Sequence, residues 1–248
     1  MASRNLLVNT GNILSLSDLK RKAGQNPSEE LIEALKITLN EPRSKYDTLN
    51  TISCNENLSL TDIERNELKI SVKVFIPQAN KKALGEALDQ VLTSLDAGSL
   101  ESVVISYDTI GKTPEDILSA LKQLWPVLEH YVQEGTISGA GVSDVDTDVF
   151  VQLHEWAADV KPNIVQINLA SCCVVPPALQ EFTKKNFIQL LTHSDPCQLL
   201  PPEAISEVFG PETTLSWVAR YQVHVKCRGV LASKGYLVSL RKEKLTSG

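Results

Sequence analysis

Gly139-Ala140-Gly141-Val142-Ser143-Asp144 and, further on, Val165-Gln166-Ile167-Asn168-Leu169-Ala170-Ser171-Cys172-Cys173 are apolar runs that end in small and polar residues. Between them Val149, Phe150, Leu153 and Trp156 recur at helical spacing, which predicts an amphipathic helix with these four facing inward. Strand, helix, strand in this order is how neighbouring strands of a parallel sheet read, because parallel strands need a crossover. The polar residues then gather at the strands' C-terminal ends, where barrel enzymes place their chemistry.

The rest of the chain extends the pattern. Asn26-Pro27-Ser28-Glu29 caps and opens a helix carrying Leu31, Leu35 and Leu39. Residues 68–76 alternate as a strand, and Leu84, Ala87, Leu88, Val91 and Leu95 follow at helical spacing. Residues 103–106, 137–142, 164–169, 187–191 and 221–225 read as further strands, with 6–9 and 49–53 as N-terminal ones. Thr113-Pro114-Glu115-Asp116 starts a helix that Pro126 is expected to kink or restart. Residues 177–185 read as helix, and residues 208–220 as helix in two pieces around Gly210-Pro211.

The expected fold is α/β: one (β/α)8 TIM barrel over residues 1–248, with an irregular N-terminal segment, a loop-rich region at 43–67 and a shortened C-terminus. An open doubly wound sheet is the alternative, and no Gly-x-Gly-x-x-Gly follows a strand to support it.

Composition narrows the function. The chain has 248 residues, 42% hydrophobic and 22% charged, with net charge −6. No basic stripe stands out, and the short basic tail Arg241-Lys242-Glu243-Lys244 reads as solvated, so no nucleic-acid partner is expected. No apolar run is long enough to span a membrane, and no signal-peptide core opens the chain; a cytoplasmic protein with reduced cysteines is expected. The cysteines at 54, 172, 173, 197 and 227 form no CxxC, and the histidines at 130, 154, 193 and 224 form no HExxH, so no metal site is expected.

The Gly-Val-Ser-Asp run resembles a strand end of the aldo-keto reductases, and Gln166 matches the glutamine that opens their next strand. That family's catalytic set is an aspartate, a tyrosine, a lysine and a histidine. The resemblance places the lysine at Lys73 and puts Ser106 where the histidine should stand. Residues 48–61 hold neither the aspartate nor the tyrosine; Tyr46 and Asp47 precede them in the wrong order. A missing proton donor removes a step worth ~10²–10⁴ in rate. No catalytic residue is therefore expected, with Lys73 a remnant. On the cofactor side, the resemblance assigns Ser143, Asp144 and Gln166 to the nicotinamide carboxamide, His193 to the stacking position and Lys226 with Arg228 to the phosphate. It implies no required cofactor and at most weak NADP(H) binding, and leaves an NADP(H)-binding sensor or a residual oxidoreductase as the alternative function.

A second resemblance covers more of the chain. Thr10-Gly11-Asn12-Ile13-Leu14, Gln166 to Pro177, Leu190-Leu191-Thr192-His193-Ser194-Asp195-Pro196, and Val225-Lys226-Cys227-Arg228-Gly229 with Ser233-Lys234-Gly235-Tyr236 are similar to the regulatory (modifier) subunits of glutamate–cysteine ligase. That family implies a noncatalytic protein. It binds a catalytic subunit, improves its use of glutamate, and relaxes feedback by glutathione in the first step of glutathione synthesis. Cysteines reinforce such an association. Cys172, Cys173, Cys197 and Cys227 fall near expected strand ends. Cys227, between Lys226 and Arg228, and one of Cys172 and Cys173 are the favoured partner-facing thiols, since neighbouring cations favour the reactive anion.

Overall fold

The computed structural model describes residues 4–16, 26–39, 50–53, 63–168 and 174–242. Its sheet has nine strands in the order β2-β1-β9-β8-β3-β4-β5-β6-β7. These are β1 (Arg4–Asn9), β2 (Thr51–Ser53), β3 (Leu68–Ile76), β4 (Ser102–Tyr107), β5 (Ala140–Ser143), β6 (Ile164–Asn168), β7 (Gln189–His193), β8 (Thr213–Val225) and β9 (Val230–Lys242). Strands β3 to β7 run parallel, joined by α2 (Lys81–Ser94), α3 (Pro114–Gln133), α4 (Thr147–Trp156) and α5 (Pro177–Lys185). Helix α1 (Pro27–Thr38) lies between β1 and β2 in the chain, and α6 (Pro202–Phe209) between β7 and β8.

This is the expected (β/α) arrangement over its parallel half, and it departs from an all-parallel barrel over the rest. The chain's last two strands form a long hairpin between β1 and β3, antiparallel to both. Among the described residues β2 and β7 are the two ends of the sheet and do not pair with each other. The hairpin lies where the sequence predicts helix up to residue 220 and a solvated tail at 241–242. Trp217, Ala219, Tyr221 and Val223 alternate onto one face of β8 and are buried there, which is period two. Arg241 and Lys242 pair with Thr214 and Thr213 as the end of β9.

Alternation along β3 sets the two faces. Leu68, Ile70, Val72, Val74 and Ile76 pack with the buried sides of α2, α3 and α4, including Leu84, Leu88, Leu124 and Phe150. Phe75, on the other face, packs with Leu6 and Val8 of β1, Leu31 and Leu35 of α1, Ile205 of α6, Val218 of β8 and Val238 of β9. Helices therefore cover both faces at the hairpin end, where a closed barrel would fill its inside with strand side chains alone.

Local signals explain the helix starts. The Asn26 side chain accepts from the Glu29 amide (2.9 Å) and that of Asn80 from Ala83 (3.2 Å). Thr113 and Asp116 cap each other, with Pro114 in the first turn. Pro126 neither ends nor restarts its helix, which runs unbroken from Pro114 to Gln133. Interior proline costs about 3 kcal/mol, and the buried Leu121, Leu124, Trp125 and Leu128 around it offset that. Trp156, expected inward, is 43% exposed, with Lys122 Nζ 5.6 Å from its ring centre. Of the loop-rich region, residues 50–53 and 63–67 are described; the former hold β2, which pairs parallel with β1.

Candidate functional site

Gly141 lets β5 and β6 approach. A Cβ there would stand 2.0 Å from the Ile164 carbonyl oxygen. The close fit aligns Ser143 with Gln166 across the two strands and with Ser106 of β4 on the other side. Directly after β5, Asp144 adopts φ 60°, a left-handed conformation that short polar residues tolerate best. Its amide donates to the Gln166 carbonyl (3.0 Å), which anchors that turn.

The Asp144 carboxylate faces His193 at the end of β7, with Oδ1 2.9 Å from His193 Nε2. Ser143 Oγ donates to Asp144 Oδ2 and lies 3.2 Å from His193 Nε2. On the imidazole's other side, the Asp195 amide donates to Nδ1 (3.0 Å), while Asp195 Oδ2 lies 3.3 Å from the same nitrogen. The neutral ring thus carries its proton on Nε2, toward Asp144; the protonated ring has a carboxylate in reach of each nitrogen.

Asp195 is the hub. Arg220 of β8 grips it through both terminal nitrogens, NH2 to Oδ2 at 2.9 Å. Lys73 Nζ donates to Oδ2 at 2.9 Å and lies 3.9 Å from Asp144 Oδ2. The Asn168 side chain donates to the Asp195 carbonyl (2.6 Å). Lys73 and Arg220 are register partners on β3 and β8, which presents them side by side, and the Phe75 ring lies 5.3 Å from the ammonium and 5.5 Å from the guanidinium. Asp195 is 3% exposed and Lys73 4%.

With neutral imidazole the charges cancel: two cations, Lys73 and Arg220, against two carboxylates, Asp144 and Asp195. Burial raises the Asp195 pKa, but hydrogen bonds from His193 and Arg220 and the nearby cations hold it far below the usual carboxylate range. Burial pushes Lys73 below its ordinary value, against the pull of Asp195 and Asp144. Burial also lowers His193, and its hydrogen bonds to Asp144 and Asp195 outweigh that and raise it. The site is a closed ion cluster in which each charged side chain is engaged by another.

The structure thus brings Lys73, Ser143, Asp144 and His193 into one network, with Ser106 buried on the neighbouring strand. Gln166 stands beside it with its Oε1 buried and without a hydrogen-bond partner. Lys226 and Arg228 lie elsewhere. Because β8 runs antiparallel to β3, Val225 pairs with Leu68 while Arg220 pairs with Lys73. Five residues of strand put Val225 roughly 16 Å from Arg220, and Lys226 follows it at the opposite end of the strands. There it donates to the Asn66 carbonyl (2.9 Å) and pairs with Glu101 (3.4 Å). A pyridine nucleotide assigned to all six residues does not fit this arrangement: the Ser143 hydroxyl is spent on Asp144 and the Asp144 carboxylate on His193, and the phosphate pair is at the far end.

Cys172 and Cys173 lie outside the described residues; Cys197 and Cys227 are free and exposed. No group of histidine, cysteine or carboxylate side chains among the described residues could hold a metal ion, and no described helix is long and apolar enough to cross a membrane. The sequence reading missed Asp195 and Arg220 as site residues. Asp195 stands in the His193-Ser194-Asp195 run, but Arg220 fell in a segment read as helix. A cavity of about 270 Å³ adjoins the cluster, lined by Phe75, Ser106, Leu199 and Val218, and the Gln198 side chain bonds Asp108 (2.8 Å) at its wall.

No family model matches the sequence. Among solved structures it is similar to an aldo/keto reductase from Brucella melitensis (18% identity, 73% of this chain and 70% of that one, TM-score 0.45) and to an aldo-keto reductase complexed with NADPH (18% identity, 67% and 45%, TM-score 0.44). Curated relatives are much nearer. The glutamate–cysteine ligase regulatory subunit of Homo sapiens is 36% identical over 97% of this chain and 94% of its own length, and that of Rattus norvegicus is 36% identical over 96% and 93%. A putative regulatory subunit from Schizosaccharomyces pombe is 28% identical over 75% of this chain and 76% of its own. With identity of this level sustained along nearly the whole sequence, the chain belongs to the glutamate–cysteine ligase regulatory subunit family.

Proposed function

We propose that this chain is a noncatalytic subunit that binds the catalytic subunit of glutamate–cysteine ligase, improves its use of glutamate and relieves its inhibition by glutathione. The relatives' name supports the partner. The observation that carries the noncatalytic half is the state of Lys73, the one residue retained from the reductase catalytic set. It is buried and engaged by Asp195 and Asp144. A lysine so held is not available to assist a proton donor, and Ser106 offers no imidazole. NADP(H) binding is expected to be weak or absent, because the Ser143 and Asp144 groups are engaged within the cluster and Lys226 lies at the far end of the strands.

Regulation needs only that the chain bind the partner's productive state more tightly than its inhibited state. A coupling of ~1–3 kcal/mol would shift glutamate affinity about 5- to 150-fold. The experiment titrates the purified chain into the catalytic subunit under reducing conditions and follows ligase rate against glutamate, with and without glutathione. A lower KM for glutamate and weaker glutathione inhibition are expected; unchanged curves at saturating chain would sink the proposal. In parallel, NADPH with aldehydes or quinones should give no turnover, and steady oxidation abolished by Lys73→Met would revive the reductase reading.

A further inference from the structure

Among the described residues the sheet ends on an open edge. Strand β7 pairs only with β6 among the described residues. The Gln189 amide donates to the Asn163 carbonyl on the β6 side (2.9 Å). By alternation Gln189, Leu191 and His193 turn their backbone groups to β6, and Leu190 and Thr192 turn theirs outward. Among the described residues those outward N–H and C=O groups meet no partner. Proteins usually blunt such an edge by shortness, charge or proline. The other edge, β2, is three residues long. Strand β7 has five residues, Gln189-Leu190-Leu191-Thr192-His193, with no proline and no lysine or carboxylate.

The residue two before this strand is unusual as well. Phe187 is 94% exposed, with φ 55°. It follows the Asn186 cap of α5, in a turn closed by the Ile188 amide to the Thr183 carbonyl (2.9 Å). Helices prefer glycine in that left-handed position, and a bulky side chain there is strained. The most exposed large apolar side chain among the described residues thus stands on a backbone that disfavours it. Lys184 and Lys185, in the preceding helical turn, are exposed and make no ion pair among the described residues.

We infer that the β7 edge, with Phe187 at its foot, is where the catalytic subunit docks, by adding an extended segment as the next strand. The inference rests on the regulatory reading above. The open backbone groups call for a strand. The Phe187 ring calls for an apolar side chain at one end of it, and the two lysines call for carboxylates beside that side chain.

The test measures affinity of the purified chain for the catalytic subunit, with hydrogen exchange on the free chain and the complex. Phe187→Gly relieves backbone strain, so it should raise the melting temperature and yet weaken binding at least tenfold. Thr192→Pro removes an outward N–H while sparing the β6 ladder, and should weaken binding similarly. Lys184→Glu with Lys185→Glu should weaken it with a reduced salt dependence. Ile110→Ser, an exposed apolar site on the β4–α3 loop at the other end of the strands, should bind as wild type. In the complex the Leu190 and Thr192 amides should become protected. Wild-type affinity in Phe187→Gly together with unprotected Leu190 and Thr192 would overturn the docking site while leaving the regulatory reading intact. Amides already protected in the free chain, or a concentration-dependent homodimer that protects them, would also overturn it, since this chain would then cover its own edge. Failure of the wild-type chain to bind at all would overturn both. If Thr192→Pro does not fold, Phe187→Gly and the exchange data decide.

Discussion

Asp195 receives Arg220 through two nitrogens, Lys73 through one, and holds His193 through its amide. Removing one member of a buried ion cluster strands the others in a medium that penalises lone charge. Asp195→Asn is therefore expected to cost about 3–5 kcal/mol in chemical denaturation, and a loss below 1 kcal/mol would mean the cluster is solvated. His193 gives the cluster a pH dependence. Its folded pKa is raised, so its stabilising contribution is complete below the unfolded value of about 6.5 and fades as pH rises through the folded one. His154, lowered by burial near Phe150 and Phe182, acts oppositely and loses stability below that same unfolded value. The two are separated by comparison: His193→Gln should lose stability relative to wild type at pH 6 and approach it by pH 9. A constant difference across that range would show that the imidazole does not titrate in this window. Four members of this network were singled out in the sequence through the reductase resemblance, which lands Lys73 within a clean alternation and Ser143, Asp144 and His193 at strand ends. Arg220 was not, because its strand partner is 147 positions earlier in the chain, and register across that distance leaves no local mark.

Strand β5 is only four residues long, AGVS, and all four are buried. Its glycine works by contact rather than by backbone freedom, since the Ile164 backbone occupies the place of a Cβ. Gly141→Ala should force β5 from β6 and lower stability by about 1–3 kcal/mol. It should also loosen the Asp144 amide bond to Gln166, read as faster exchange of that amide. Unchanged melting and exchange would mean that the two strands separate at no cost. The parallel elements were readable because each carries a buried run followed by a capped helix. Of the hairpin only residues 221–225 were, for a physical reason. Gly210 and Pro211 mark a break but leave the type of the next element open, and Leu215, Trp217, Val218 and Ala219 are apolar on both faces of β8. A strand buried on both sides has no alternation to distinguish it from a helix.

At the scale of the whole molecule, the antiparallel hairpin divides the residues that the sequence assigns to one cofactor site. It carries Arg220 to the ion cluster at the C-terminal ends of the parallel strands and sends Lys226, Cys227 and Arg228 to the opposite end. The two described thiols follow that division. Cys197 follows β7 and lines the cavity near Phe75 and Ser106, whereas Cys227 lies in the exposed turn joining β8 and β9. Phe187, preceding β7, is at the same end as Cys227. A partner seated against the foot of β7 therefore approaches the end that carries Cys227 and not the end that carries Cys197. Under oxidising conditions an intersubunit disulfide is expected through Cys227, and Cys227→Ser should remove the cross-linked band on non-reducing electrophoresis while Cys197→Ser keeps it. Under reducing conditions both variants should bind the catalytic subunit like wild type, because the proposed docking at the β7 edge does not need the disulfide. A cross-link that survives Cys227→Ser and disappears with Cys197→Ser would put the partner at the ion-cluster end instead.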